Sequence, residues 1–73
     1  MPVVVRFTDG SERTFPNADS AHLDGHLIRV MRYNTKRRKS EDVEVIHADQ
    51  VTLAEVVTGN IVTGRILGRG RVR

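Results

Sequence analysis

Four consecutive cations, Lys36-Arg37-Arg38-Lys39, lie within the stretch Asn34-Thr35-Lys36-Arg37-Arg38-Lys39-Ser40, and no acid follows until Glu41. Fixed positive charge at this density suits ion pairing with a polyanion, each cation displacing condensed counterions from a phosphate backbone. Arg32 and Tyr33 stand just before the run, and Tyr33 is the single tyrosine of the chain, placed where a base could stack on it. Arg29 is a further cation within reach of the same site. A second set of cations, Arg65, Arg69, Arg71 and Arg73, alternates with Gly64, Gly68 and Gly70. Such glycine-spaced arginines suit a flexible basic arm that orders itself on nucleic acid. The competing readings are plain. The first run could be a solvated hairpin tip whose charges keep a strand edge from aggregating. The second could be a solubilising tail, or Ile61–Leu67 could pair with another subunit.

Other chemistries find little footing. His22, His26 and His47 are the only imidazoles, none stands in a His-Glu-x-x-His pattern, and there is no cysteine. A metal site therefore lacks its ligand spacing. The carboxylates are scattered and no serine occupies a Gly-x-Ser-x-Gly elbow. The stretch from Gly64 to Gly70 lacks the strand–helix frame of a phosphate-cradling loop. The expectation is a protein that is not an enzyme, with no cofactor, no metal and no small-molecule substrate. With two phenylalanines, Phe7 and Phe15, assigned to the core and no tryptophan, serial base stacking is disfavoured. Backbone-directed, weakly sequence-specific binding fits the composition better.

The charge is segregated. The net charge of +3 arises entirely from residues 51–73, where four arginines face one acid, Glu55. Segregated cations favour a polyanionic partner more than the same charge evenly spread. At 73 residues the chain makes one small domain, and a domain of this size buries only about 60% of its unfolded surface. With no disulfide available, oligomerisation is the remaining common source of stability. No apolar run approaches the length of a membrane span and the N-terminus lacks a signal-peptide pattern, so a soluble, cytoplasmic protein is expected.

The elements that must position the cations read as strands. Pro2–Phe7 is rich in β-branched residues, and Ser11–Phe15 returns after Asp9-Gly10. A two-residue turn would set Arg6 against Arg13, whereas a three-residue loop, Thr8-Asp9-Gly10 with a bulge at glycine, sets Arg6 against Glu12 and Val3 against Phe15. The second is preferred because like charges directly opposite are unfavourable. Pro16 ends that strand. Residues 17–33 could form a helix with Leu23, Leu27, Val30 and Met31 on one face. Gly25 and the preference of Asp-Gly for hairpin turns favour two strands instead, Asn17–Leu23 and His26–Tyr33, turning at Asp24-Gly25. Because the second strand has apolar residues on both faces, it is expected to be covered on both at least in part. Val43–His47 follows the basic loop, Ala48-Asp49-Gln50 forms a short turn or a single 3₁₀ turn, and Val51–Val57 is the next strand, with a short helix as the weaker alternative. Gly59-Asn60 marks a further tight turn, after which Ile61–Thr63 could return. Fraying is expected from about Leu67.

The resulting fold is all-β, a five- to six-stranded antiparallel meander or partly open barrel over residues 1–64, with a basic Gly/Arg tail over 65–73. Over residues 2–57 this strand order, with a 3₁₀ turn before the last strand, is similar to that of the SH3-like and Sm-like barrels. The function expected is that of a small accessory or regulatory nucleic-acid-binding module for DNA or RNA. Its sites are Lys36, Arg37, Arg38, Lys39, Arg32, Tyr33 and the four tail arginines. The alternative is an assembly module that homo-oligomerises through strand edges and the tail.

Overall fold

A computed structural model describes residues 2–71 and shows an all-β chain. Among the described residues seven strands form: β1 (Val3–Phe7), β2 (Glu12–Phe15), β3 (Ser20–Asp24), β4 (Leu27–Asn34), β5 (Lys39–His47), β6 (Val51–Thr58) and β7 (Ile61–Leu67). The 3₁₀ turn Ala48–Gln50 joins β5 to β6. The strands make two antiparallel sheets, a four-stranded one in the order β2-β1-β6-β7 and a three-stranded one in the order β3-β4-β5. They do not close into a barrel. Nor is the chain a simple meander, because β1 pairs with the distant β6.

Four hairpin turns set the registers, and three place glycine at positive φ. Gly10 (φ 87) closes the three-residue loop of β1–β2, which aligns Arg6 with Glu12 and Val3 with Phe15, the register expected from charge pairing. That loop is capped by Asp9, whose Oδ1 accepts the Ser11 N–H at 2.8 Å. The β3–β4 turn falls one residue later than expected. Asp24 pairs with Leu27, so the loop is Gly25-His26, with glycine first (φ 60). Glycine at positive φ followed by a residue at negative φ suits the type II′ hand, which matches the twist of the flanking strands. Gly59 (φ 63) plays the same part between Thr58 and Ile61. The fourth turn, between β4 and β5, has Arg38 at φ 54 instead.

The core lies between the sheets. Val3 and Val5 of β1, Ile28 and Val30 of β4, and Val51 of β6 are completely buried, with Phe15, Ile46 and Ala54 beside them. Each such aliphatic side chain contributes about 1.5–3 kcal/mol by leaving water. Phe7 is partly buried against the cluster. On β4 one face is covered and the other only in part, with Leu27 and Met31 half-buried. Ile28 and Val30 point inward, whereas Leu27, Met31 and Tyr33 lie on the outer face, where Tyr33 is exposed. Val43 and Val45 on β5 are also exposed. The ladder shifts register between Val30 and Met31, where Glu44 is followed across by Asp42, leaving Val43 as the extra residue of a bulge. Apolar density alone could not show that displacement.

The C-terminal segment is more extensively paired than the sequence suggests. The boundary placed at residue 64 falls inside β7, which pairs with β6 from Thr58↔Ile61 to Leu53↔Leu67. Beyond β7, the Gly68 N–H donates to Thr52 O (3.0 Å), Arg69 N–H to Ala48 O (2.9 Å) and Gly70 N–H to Val51 O (3.0 Å). The glycines permit this approach. A Cβ at Gly68 would overlap Val51 O, and one at Gly70 would lie 2.5 Å from Asp49 O. The glycine spacing read as flexibility thus meets a steric need for close backbone contact.

Candidate nucleic-acid interface

The basic run occupies the tip of the β4–β5 hairpin. Both strands extend further than expected, to Asn34 and from Lys39, so the loop is the four residues Thr35–Arg38. Asn34 builds it: its Oδ1 accepts the backbone N–H groups of Lys36 (3.0 Å) and Arg37 (3.2 Å). An asparagine side chain that caps the two following amides in this way substitutes for a backbone turn bond. Arg38 then enters the left-handed region to bring the chain back to Lys39. A non-glycine residue there costs about 1–2 kcal/mol relative to glycine.

Side-chain partners separate the tip cations. Lys36, Arg38 and Lys39 form no ion pair among the described residues, and all three are exposed. Arg37 lies 3.5 Å from Glu41, with 70% of its side chain exposed, and a pair so open to water is weak. Arg32 is exposed, pairs in register with Glu41 and has no ion pair among the described residues. Tyr33 stands across from Ser40 and is 50% exposed. Its backbone N–H donates to Asp19 Oδ2 at 2.8 Å, which ties the base of the hairpin to the loop before β3.

The acids near the hairpin are engaged. Glu41 also accepts a bond from Asn34 Nδ2 at 3.3 Å. Asp42 holds Arg29 in a two-point contact, Oδ2 to Nη2 at 2.7 Å and Oδ1 to Nε at 3.2 Å. Asp24 reaches the same guanidinium at 3.2 Å. Asp42 foremost, then Asp24, raise the Arg29 pKa above its already high ordinary value. Arg29 therefore braces three strands and is not offered to a partner. Glu44 faces Arg13 at 3.4 Å.

The tail arginines are not assembled with the tip. Arg65 is paired to Glu55 at 3.5 Å on the outer face of the four-stranded sheet. Arg69 Nη1 lies 3.3 Å from His26 Nδ1, at the turn that opens β4, whereas the basic loop closes the same strand. The eight residues of β4 put these ends about 25 Å apart at a strand rise of about 3.3 Å per residue. Arg71 is exposed close to that far end, and Arg73 lies outside the described residues. The sequence-derived set is thus divided, with Arg32, Tyr33 and Lys36–Lys39 together and the remainder elsewhere. One contributor carried no assigned role in the sequence reading, Asn34, which shapes the tip, whereas Glu41, expected with Asp42 and Glu44 to neutralise the patch in part, pairs with Arg37. An asparagine ahead of a charged run without glycine is the signal that could have found Asn34.

No group of three or more metal-ligating side chains occurs among the described residues, and among them no helix is long and apolar enough to cross a membrane. Comparison with protein-family models, with characterised proteins and with solved structures finds no match to this chain.

Proposed function

We propose that this protein is a small nucleic-acid-binding module that grips phosphates with the tip of its β4–β5 hairpin, through Lys36, Arg38 and Lys39, with Arg37 and Arg32 beside them. One observation carries the reading. Of four hairpin turns, three put glycine at positive φ and this one puts Arg38 there. Backbone strain retained at a cation-bearing turn, where glycine would relieve it, is a mark of a functional position. The acids at the base of the hairpin support the same reading, since Asp42 is bound to Arg29 and Glu44 to Arg13, while Lys36, Arg38 and Lys39 have no ion pair among the described residues. An accessory or regulatory role in an intracellular setting belongs to this proposal. Kinship with the SH3-like and Sm-like barrels is likewise proposed, on strand order and on the 3₁₀ turn ahead of β6. The test is a binding titration at several salt concentrations. Each phosphate contact on duplex DNA contributes a slope of about −0.9 in log K against log salt. Replacing Lys36, Arg37, Arg38 and Lys39 by serine should flatten that slope by about 3.6 units and weaken all sequences alike. An unchanged slope and affinity overturns the reading.

A second reading has its own observation. The edge strand β7 exposes Ile61 (68%), Val62 (43%) and Leu67 (71%). Exposed apolar residues on an unpaired sheet edge favour self-association. Under this reading Ile61→Lys with Leu67→Lys shifts the mass measured by sedimentation to that of a monomer. Truncation after Gly64 is a poorer test, because it removes Ile66, which packs against the core.

A further inference from the structure

We propose that the partner is B-form duplex DNA and that the β4–β5 hairpin enters its major groove as a two-stranded ribbon; this rests on the phosphate-binding reading above. The last β3–β4 pair is Ser20↔Met31, so beyond it Arg32–Asn34 and Lys39–Glu41 have strand partners only in one another, with the Tyr33 N–H tied to Asp19 at the base. No residue from 32 to 44 is buried. The hairpin is therefore an arm of three cross-strand pairs and a four-residue loop, about 15 Å long at a strand rise of about 3.4 Å. Its two strands lie about 4.8 Å apart. With side chains the ribbon matches the major groove of B-DNA, about 12 Å wide and about 8.5 Å deep, which admits a two-stranded β-ribbon. It is too broad for a minor groove about 6 Å wide. A-form RNA closes its major groove to side chains, so duplex RNA is a poor fit.

The charge arrangement suits entry. Lys36, Arg37 and Arg38 lead, with Lys39 and Arg32 on the flanks toward the phosphate walls. The one acid on the arm, Glu41, is held by Arg37 and Asn34, and Asp42 just beneath it is held by Arg29. The groove therefore meets cations at the tip and bound carboxylates at the base. Single strands fit less well, because the arm carries one aromatic, Tyr33, and base stacking needs a platform of several.

The experiment uses the full chain with one sequence prepared as B-DNA duplex and as RNA duplex, at one salt concentration. Guanine N7 methylation by dimethyl sulfate reports the major groove and adenine N3 methylation the minor groove. Groove entry predicts protection of guanine N7 but not adenine N3, with a preference of at least about tenfold for the DNA duplex, the discrimination of one good groove contact. The quadruple serine variant should lose both. A second measurement needs no variant: DNA whose major groove is filled by glucosylated hydroxymethylcytosine should bind weakly, while DNA carrying netropsin in its minor groove should bind as before. Equal affinity for the RNA duplex, or adenine N3 protection without guanine N7 protection, overturns groove entry and leaves the phosphate reading standing. Absence of binding to every nucleic acid at low salt sinks both.

Discussion

Glu55 lies directly across the β6–β7 ladder from Arg65, and its carboxylate is 3.5 Å from that guanidinium and 3.8 Å from Arg6 on the opposite side. Arg6 in turn pairs with Glu12 at 3.3 Å, so an ionic row crosses all four strands on the outer face of that sheet. Only 10% of the Glu55 side chain is exposed, which means the two arginines cover it.

This arrangement assigns Arg65 to stability and not to phosphate binding. Glu55→Ala should cost about 1 kcal/mol, the scale of a charged hydrogen-bonding group discounted for arginines that remain largely in water. Arg65→Ala should lower the unfolding free energy read from urea titration by a similar amount while leaving the salt slope of nucleic-acid binding where it was. A slope reduced by about 0.9 in Arg65→Ala would return that residue to the interface.

Arg38 separates folding from binding. Glycine relieves the left-handed backbone that arginine occupies at φ 54, so Arg38→Gly should raise stability by up to about 1 kcal/mol. The same substitution removes one phosphate contact and should flatten the salt slope by about 0.9. Arg38→Ala should flatten the slope equally without the gain in stability. Thermal unfolding and salt titration of the two variants side by side make the comparison. A more stable Arg38→Gly protein that binds like the parent would show that the cation is incidental to the turn.

Much of the fold was legible where side-chain chemistry and turn chemistry agreed. Opposite charges at Arg6 and Glu12 selected the three-residue loop, and Pro16 marked the end of β2. The choice of a hairpin over a helix for residues 17–33 followed from Gly25, although the turn centres on Gly25-His26. What escaped depended on distant backbone. Nothing local distinguishes glycines that bend freely from Gly68 and Gly70, which are small because Val51 and Asp49 stand against them. The bulge at Val43 likewise depends on the β4 partner, since Glu44 and Asp42 face consecutive residues across the ladder. At the site, the cationic run was visible in the sequence, but its distance from Arg69 followed only once both ends of β4 were placed.

Asp9 should give the first turn a signature in acid. Its carboxylate accepts the Ser11 hydroxyl and the Ser11 N–H, and these bonds, the hydroxyl foremost, hold its pKa below the ordinary 3.8. A depressed carboxylate contributes stability that is complete above its unfolded pKa and is lost as pH falls through the folded one. Asp9→Ala should therefore be less stable than the parent at neutral pH, and the difference should shrink below about pH 4. Asp9→Asn keeps an acceptor for Ser11 and should show a smaller, pH-independent deficit. Urea midpoints of the three proteins across that range decide it, and a parent–alanine difference that grows in acid would contradict the assignment.

The docking of the C-terminal segment should depend on the absence of two β-carbons. Residues 68–70 hydrogen-bond through their backbone to Ala48, Val51 and Thr52, and they lie over the 3₁₀ turn that launches β6. A methyl group at residue 68 would meet Val51 O, a backbone atom fixed at the start of the central strand β6, so the incoming segment must move. Gly68→Ala should accordingly lose the hydrogen bonds of Gly68, Arg69 and Gly70 together, at roughly 1 kcal/mol each, for a loss of about 2–3 kcal/mol. Gly70→Ala, which meets Thr8 Cγ2 and Asp49 O at the end of the segment, should lose the Gly70 bonds and keep those of Gly68 and Arg69. Arg69→Ala keeps all three backbone bonds and gives up only the contact with His26, so its stability should stay within about 0.5 kcal/mol of the parent. Amide exchange distinguishes this from a free tail. Protection at Gly68, Arg69 and Gly70 in the parent, abolished in Gly68→Ala and retained in Arg69→Ala, is the expected pattern. Equal, rapid exchange of these amides in all three proteins would instead mean that the segment is not docked and that the glycines serve its flexibility.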